Sequence, residues 1–580
     1  MDKFYTVAEN TLILISLMKQ YNIRKVVASP GTLNVNFVGS LQSDPFFEIY
    51  SAPDERSAAY IACGMAAESG EPVVLSCTGA TASRNYIPGL TEAFYRKLPV
   101  IAVTSTQRLI YIGHNCEQVI DRRSQLNDMV RYSATLPIIH NDEDKWNVTI
   151  EVNKAFIETT RHGGGPVHIN LEAETQRDFS VKELPKARKI NYFCATNDSA
   201  DFPELKGKRV AVYVGSHRMM DEGLQNALTK FCETNDAVVL CDRTSNYFGK
   251  YRVVPSLVVK QDAYSTSLSA PDVMIHIGNV SGSQFKFSPK EVWRVCEDGE
   301  IRDTYKAVKN VFEMNEQKFF EMYSKNDAEA SDTYLNEWKK ETESIYQSIP
   351  ELPFSNMWVA YTLSERIPDN SVLHLGILNS LRSWDYFDSP NVVEAYANTG
   401  GFGIDGCLSS LIGGALANPS KLHFGALGDL AFFYDMNSLG NRHLPNNLRI
   451  LVVNNGKGAE FRKYNHPAGR FGEDADLYMA AAGHYGNKSN VLLKHYVEDL
   501  GFLYLTADNK EDFLANAEKF LDTTVNQPVV FEVFTTEKND SDAIQIINNL
   551  EKSIGGSVKA KAKSLLGDKG FTIARKVLKK

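Results

Sequence analysis

The stretch "FGALGDLAFFYDMNSLGNRHLPNNLRILVVNNGKGAEF" (Phe424–Phe461) decides the reading of the fold. It opens with an apolar run that stops at Gly428-Asp429 and closes with a second run, Leu448 to Val453, that stops at Asn454-Asn455. Short apolar runs bounded by turn residues read as buried strands. In open α/β sheets, ligands bind beyond the carboxyl ends of the strands. If these two strands are neighbours, the Asp429 carboxylate, the Asn455 amide oxygen and a loop carbonyl near Lys457 converge. Three hard oxygen donors suit Mg²⁺, which usually completes its shell with water and phosphate. A helix starting near Leu430 aims its N-terminus at the same place, where an anion is favoured. A helix cap is the competing role for Asp429 alone. Gly-Asp followed by Asn-Asn, each after a strand, carries the metal-diphosphate reading.

The rest of the chain repeats the alternation of strand and helix, which predicts parallel α/β sheets. Residues 1–185 form a first block, with strands at "KVVASPG" (Lys25–Gly31), "PVVLSCTGATASRN" (Pro72–Asn85), "LPVIAVTST" (Leu98–Thr106) and "GPVHINLE" (Gly165–Glu172). Residues 186–350 form a second, with strands at Arg209–Ser216, Ala237–Asp242 and Asp272–Asn279 and charged helical sequence from Glu300 to Gln347. No GxGxxG or GxxxxGK[ST] signature is found there, so no dinucleotide is expected. Residues 351–545 form the third block, with "VLHLGILNS" (Val372–Ser380), the opening stretch and "PVVFEVFTT" (Pro528–Thr536). The tail, 546–580, carries nine Lys/Arg against two acids from Glu551 onward. It reads first as a solvated end. A lid, or a short amphipathic helix at Phe571–Lys580 touching an anionic membrane, comes second.

Composition narrows the classes. The 580 residues are 43% hydrophobic and 23% charged, an ordinary globular balance. The net charge of −9 offers no basic excess for nucleic acid. Eight cysteines stand scattered without a CxxC pair, as free thiols in a reducing cytosol would. The apolar run Leu12–Leu17 lacks a signal-peptide cleavage site, and no stretch reaches membrane-spanning length. A cytoplasmic enzyme is expected.

A second candidate site lies at "DERSAAYIACGMA" (Asp54–Ala66), where Asp54 and Glu55 precede a small-residue helix. Dipole complementation is the bland role for Glu55. Further stretches are "SPGTLN" (Ser29–Asn34), "CTGATASRNYIPGLTEAFYRKLPVIAVT" (Cys77–Thr104), "EQVID" (Glu117–Asp121), "LNSL" (Leu378–Leu381) and "NTGGFGIDGCLSS" (Asn398–Ser410). Together these resemble the thiamine-diphosphate (ThDP)-dependent 2-oxo acid decarboxylases and carboligases. Within them, the chain is most similar to the menaquinone-pathway SEPHCHC synthases, which join 2-oxoglutarate to isochorismate. The resemblance covers about residues 1–545.

The resemblance implies three doubly wound parallel-sheet domains: aminopyrimidine-binding, middle and diphosphate-binding. It implies that Glu55 hydrogen-bonds the aminopyrimidine ring, that Asp429, Asn455 and the Lys457 carbonyl hold Mg²⁺ (or Mn²⁺), and that Ile404 bends the cofactor. Asn379, Ser380, Gly428 and the amides of Leu430 and Ala431 would hold the diphosphate. It also implies a dimer or tetramer with shared active sites. FAD, as in acetolactate-synthase-like enzymes, is not expected.

The pattern breaks at substrate positions, where carboxylate-gripping arginines are needed. The family's Ser-Arg is Thr32-Leu33 here, its Asp-Arg-Pro is Thr106-Gln107-Arg108, and its Asn-Arg-Gly is Asn398-Thr399-Gly400. Its arginine after the Asn-Ser turn falls near Trp384, two residues beyond Arg382. Gln118 is kept, after Glu117. Arg122 and Arg123 read equally as replacements or as a solvated face. The expectation is a 2-oxo acid enzyme with a substrate other than isochorismate, Trp384 and Leu33 narrowing its pocket, and a carbonyl compound or proton as acceptor. A true SEPHCHC synthase with a divergent pocket is the alternative. A non-catalytic binding module is a third reading, opposed by the joint presence of Glu55, Asp429 and Asn455.

Overall fold

The computed structural model describes residues 4–174, 177–190, 202–283, 285–324 and 331–552. The basic tail beyond Lys552 lies outside the described residues. Three six-stranded sheets follow one another along the chain, each with every pairing parallel.

The first sheet holds β1 (Lys25–Ala28), β2 (Glu48–Ser51), β3 (Val73–Thr78), β4 (Val100–Thr106), β5 (Tyr132–Leu136) and β6 (Val167–Glu172), in the order 2-1-3-4-6-5. The second holds β7 (Val210–Val214), β8 (Val238–Cys241), β9 (Arg252–Val253), β10 (Val273–Ile277), β11 (Glu291–Cys296) and β12 (Val308–Glu313), in the order 12-11-10-7-8-9. The third holds β13 (Val372–Leu375), β14 (Glu394–Ala397), β15 (His423–Gly428), β16 (Leu448–Asn454), β17 (Leu503–Ala507) and β18 (Val529–Phe534), in the order 14-13-15-16-18-17.

The central strands are apolar because helices cover both faces. Every residue of β4, β6 and β16 is buried. One expectation is corrected here: β12 lies inside the stretch expected to be helical. "VKNVFE" pairs as an edge strand, where only Phe312 is buried, so its polar alternation fits a half-solvated position.

The first and third sheets are joined through two helices rich in small residues, Glu55–Ser69 and Cys407–Ala417. Their backbones approach so closely that a Cβ on Gly64 would stand 2.0 Å from the Ser410 carbonyl oxygen, and one on Gly413 2.0 Å from that of Ile61. Only glycine permits such an approach. The second and third sheets share one continuous core that includes Trp293, Trp338, Trp384 and Phe531.

Candidate active site

The third sheet brings its site residues together at four adjacent strand ends. β15 and β16 pair with Gly428 opposite Val453, so Asp429 and Asn455 emerge side by side. β13 lies on the other side of β15 and leads into Asn379 and Ser380, at the start of the helix Asn379–Trp384. β14, beside β13, ends just before Asn398 and Thr399.

These ends hold polar atoms that lack protein partners. Asp429 is 3% exposed, and burial pushes its carboxyl up to about 7, against hydrogen bonds from the backbone N–H groups of Asn455 and Leu430. Asn379 Oδ1, Thr399 Oγ1 and Asn398 Nδ2 are buried without a hydrogen-bond partner. Buried polar atoms are rarely left so unless a ligand meets them. Asn455 Nδ2 donates to Asp540 Oδ2 at 2.9 Å, which fixes the amide orientation. Its Oδ1 is approached only weakly, by the Lys457 N–H at 3.4 Å. Between them, Gly456 takes φ +75°, a left-handed turn that favours glycine. The Lys457 side chain turns away to Asp476 at 2.8 Å, and its carbonyl accepts from Ala459 N at 2.9 Å. Ala431 is buried, Gly428 and Leu430 half-buried, and Ile404 half-buried against the core beside Cys407 and Phe432. No cluster of three His, Cys, Asp or Glu exists among the described residues. The donor set here, one carboxylate with amide and carbonyl oxygens, is of the kind hard cations take.

Glu55 begins the helix Glu55–Ser69, but Asp54 is the cap: its side chain accepts from Arg56 N and Ser57 N. Glu55 is therefore spared that duty and meets Asn85 Nδ2 at 3.2 Å. Tyr86, next to Asn85, has a buried hydroxyl without a partner. This helix start is stitched to the third sheet: Arg56 Nη2 donates to the Tyr434 carbonyl at 2.9 Å, Ser57 Oγ to Asp435 Oδ1 at 3.2 Å, and Asn437 Nδ2 to Asp54 Oδ2 at 2.6 Å. His443 Nε2 accepts from Ser51 N at 3.0 Å and is a linking group.

The expected substrate positions divide. Thr32 is exposed and Leu33 half-buried, in the single turn Thr32–Asn34. That turn adjoins a cavity of about 440 Å³ lined by Ser29, Gly31, Asn34 and Arg442. Gln107 donates to the Glu117 carbonyl at 3.1 Å, Arg108 is half-buried beside it, and Gln118 is exposed with φ +57°. Trp384 is 1% exposed and packs into the core shared by the second and third sheets, where it cannot wall a cleft. Arg382 is paired with Glu460 at 2.5 Å. A separate cavity of about 360 Å³, lined by Arg96, Lys97, His217 and Arg294, contains none of these residues.

Sequence reasoning missed Asn85 and Asp540, which hold the side chains of Glu55 and Asn455. Asp540 lies 85 residues beyond Asn455, with no local signal to connect the two. Asn85 stands inside the stretch Cys77–Thr104, but only the fold turns it toward Glu55.

Residues 10–126 match the family model described as the N-terminal ThDP-binding domain of thiamine pyrophosphate enzymes. The chain is 32% identical over 562 residues to the 2-succinyl-5-enolpyruvyl-6-hydroxy-3-cyclohexene-1-carboxylate (SEPHCHC) synthase of Bacteroides thetaiotaomicron, covering 93% of this chain and 98% of the relative. It is 26% identical to that of Flavobacterium johnsoniae, over 91% of this chain and 96% of the relative. Among solved structures, the ThDP-dependent 4-hydroxybenzoylformate decarboxylase of Rhodococcus jostii RHA1 shares the fold, with a TM-score of 0.65 at 16% identity, over 91% of this chain and 99% of that one. The chain belongs to the thiamine-diphosphate-dependent enzymes, alongside the SEPHCHC synthases.

Proposed function

We propose that the protein uses ThDP and Mg²⁺ to decarboxylate a 2-oxo acid and, with a carbonyl acceptor, to form a carbon–carbon bond, on substrates other than isochorismate. The carrying observation is the row of buried polar groups at adjacent strand ends: Thr399 Oγ1 and Asn379 Oδ1, which lack protein partners, and the Asp429 carboxylate, which accepts from backbone N–H groups. They fit a metal-bound diphosphate. Asp429, Asn455 and the Lys457 carbonyl would hold the metal, and Asn379, Ser380 and the Leu430 and Ala431 amides the diphosphate. Ile404 would support the ring system, and Glu55 would hold a proton at the aminopyrimidine. When bound, the cofactor supplies a nucleophilic carbon and an electron sink. The protein's share is orientation, exclusion of water and a low-dielectric setting for the Glu55 hydrogen bond.

The altered substrate follows from the lost arginines. Thr32, Leu33 and Thr399 carry no charge, and Arg382 is neutralised by Glu460. The identity to SEPHCHC synthases over nearly the whole chain favours a second reading, the same reaction with a rebuilt pocket. Self-association with shared sites is part of the proposal. Leu477 and Tyr478 after β16 are 72% and 90% exposed, an apolar surface suited to a second copy.

The test is CO₂ release from a panel of 2-oxo acids with ThDP and Mg²⁺, in the presence and absence of isochorismate. Release that ignores isochorismate is expected. Formation of SEPHCHC from 2-oxoglutarate and isochorismate would replace the first reading with the second.

A further inference from the structure

Arg122 is 2% exposed, and both its Nη atoms are buried without a hydrogen-bond partner. Two other buried arginines have partners at both Nη atoms. Arg294 donates to the carbonyls of His276 and Gly278, and Arg449 to those of Leu448 and Val525. The Arg122 guanidinium stands at the ends of β3 and β4: a Cβ on Gly79 would lie 3.3 Å from Nη2 and 3.4 Å from the Ser105 carbonyl oxygen.

The groups around it supply no counter-charge. Asp121, next in the chain, pairs with Arg123 at 2.7 Å, and its carbonyl accepts from Arg84 Nη2 at 3.0 Å. Arg84 adds a second positive charge. His168 is hydrogen-bonded to Thr104 at 2.8 Å and Gln125 at 3.1 Å, and burial, reinforced by Arg122, keeps its ring neutral. Cys77, at the end of β3, lies within the electrostatic reach of both Arg122 and Glu55, although burial dominates and pushes its thiol up to about 12. Arg122 therefore lies on the same carboxyl edge of the first sheet as Glu55, whose helix follows β2.

An uncompensated buried guanidinium is unfavourable unless an anion joins it. A carboxylate matches its fork in two hydrogen bonds. It cannot be the carboxylate lost as CO₂, because gripping that group would favour the ground state over the transition state. We infer that Arg122 binds a substrate carboxylate that survives the reaction, on either the donor or the acceptor. This inference rests on the proposed 2-oxo acid chemistry.

The experiment uses the full chain with ThDP and Mg²⁺ and has two substrate arms. The donor arm compares 2-oxoglutarate with pyruvate. The acceptor arm compares succinic semialdehyde with butyraldehyde. Arg122→Gln is expected to lose about a hundredfold in kcat/KM, mainly through KM, for the member with the extra carboxylate in one arm. Its partner should change by no more than about twofold, with ThDP affinity kept and Arg122→Lys recovering part of the loss. The arm that responds identifies donor or acceptor. Equal losses on both members of each arm, or no loss at all, would overturn the inference. Thermal unfolding of Arg122→Met without substrate gives an independent answer. The variant should melt at or above the wild-type temperature, because it removes an unpaired buried charge. A lower melting temperature would make Arg122 structural and overturn the inference even if no substrate is turned over. Absence of all turnover would instead refute the 2-oxo acid reading.

Discussion

The strand ends of the third sheet and those of the first face opposite electrostatic problems. At the third sheet the buried groups can mostly accept: the Asp429 carboxylate, met by backbone N–H groups, and Asn379 Oδ1 and Thr399 Oγ1, which have no protein partner. At the first sheet the unpartnered charge is a donor, both Nη atoms of Arg122, with the Tyr86 hydroxyl and the acceptor Asn170 Oδ1 on β6 also lacking partners. One end calls for a cation and the anion it carries, the other for an anion. The proposed metal-bound diphosphate would satisfy the first and the proposed substrate carboxylate the second. A shared fold can thus keep its cofactor half fixed while its substrate half varies, since function resides in sites placed on folds.

The comparison is tested most severely at its cofactor end. Asp429→Ala removes the only carboxylate among the proposed metal ligands. It should weaken Mg²⁺-dependent ThDP binding at least about a hundredfold, with a comparable or larger loss of CO₂ release. Intrinsic tryptophan fluorescence during ThDP titration reads the first effect. Chelation of the wild-type protein should abolish activity, with Mg²⁺ or Mn²⁺ restoring it. Full ThDP affinity in Asp429→Ala would remove the metal from this end.

The two ends also differ in how legible they were. The Gly428-Asp429 and Asn454-Asn455 turns were readable because each follows a strand buried on both faces, whose apolar run is continuous. Strands of this kind, including β3, β4, β6, β7, β10 and β18, were readable from sequence. The edges were not: β2, β5, β9, β12, β14 and β17 are short or half-solvated, and their mixed composition hid them. The inner strand β11, "EVWRVC", escaped because Glu291 and Arg294 interrupt its apolar run, although both Nη atoms of Arg294 donate to neighbouring carbonyls. Arg122 could not be chosen over Arg123 in the sequence. Only the fold shows that Arg123 pairs with Asp121 in solvent while Arg122 is buried.

A finer test asks whether the two ends of one working site come from one chain. Glu55→Gln should cost about a thousandfold in turnover while leaving ThDP affinity within severalfold, the profile of a lost proton-holding group. Mixing Glu55→Gln and Asp429→Ala subunits after reversible dissociation then separates the arrangements. In a dimer with shared sites, each mixed dimer has one intact site. Random pairing should then recover about a quarter of wild-type activity. No recovery would mean that each chain pairs its own two ends.

The smallest expected effect lies where the two ends are stitched together within the chain. Asp435 is fully buried and accepts from Ser409 N at 2.7 Å, Ser409 Oγ at 2.8 Å and Ser57 Oγ at 3.2 Å. Burial pushes its carboxyl up to about 7, only partly offset by the Ser409 hydrogen bonds and the charge of Arg56 at 4.0 Å. The folded protein therefore keeps this proton at pH values where the unfolded chain has lost it. The folded state is favoured below the unfolded carboxyl value near 4, and that advantage disappears as pH rises to 7. The accumulated loss is at most about 4 kcal/mol, since each tenfold change in proton affinity corresponds to about 1.4 kcal/mol. Asp435→Asn keeps an oxygen acceptor for the Ser409 N–H and cannot ionise. Its melting temperature relative to wild type should rise steadily between pH 5 and pH 8, by several degrees in all. A constant offset across that range would mean that Asp435 is ionised in the fold, and that Arg56 outweighs burial at the stitch between the two halves.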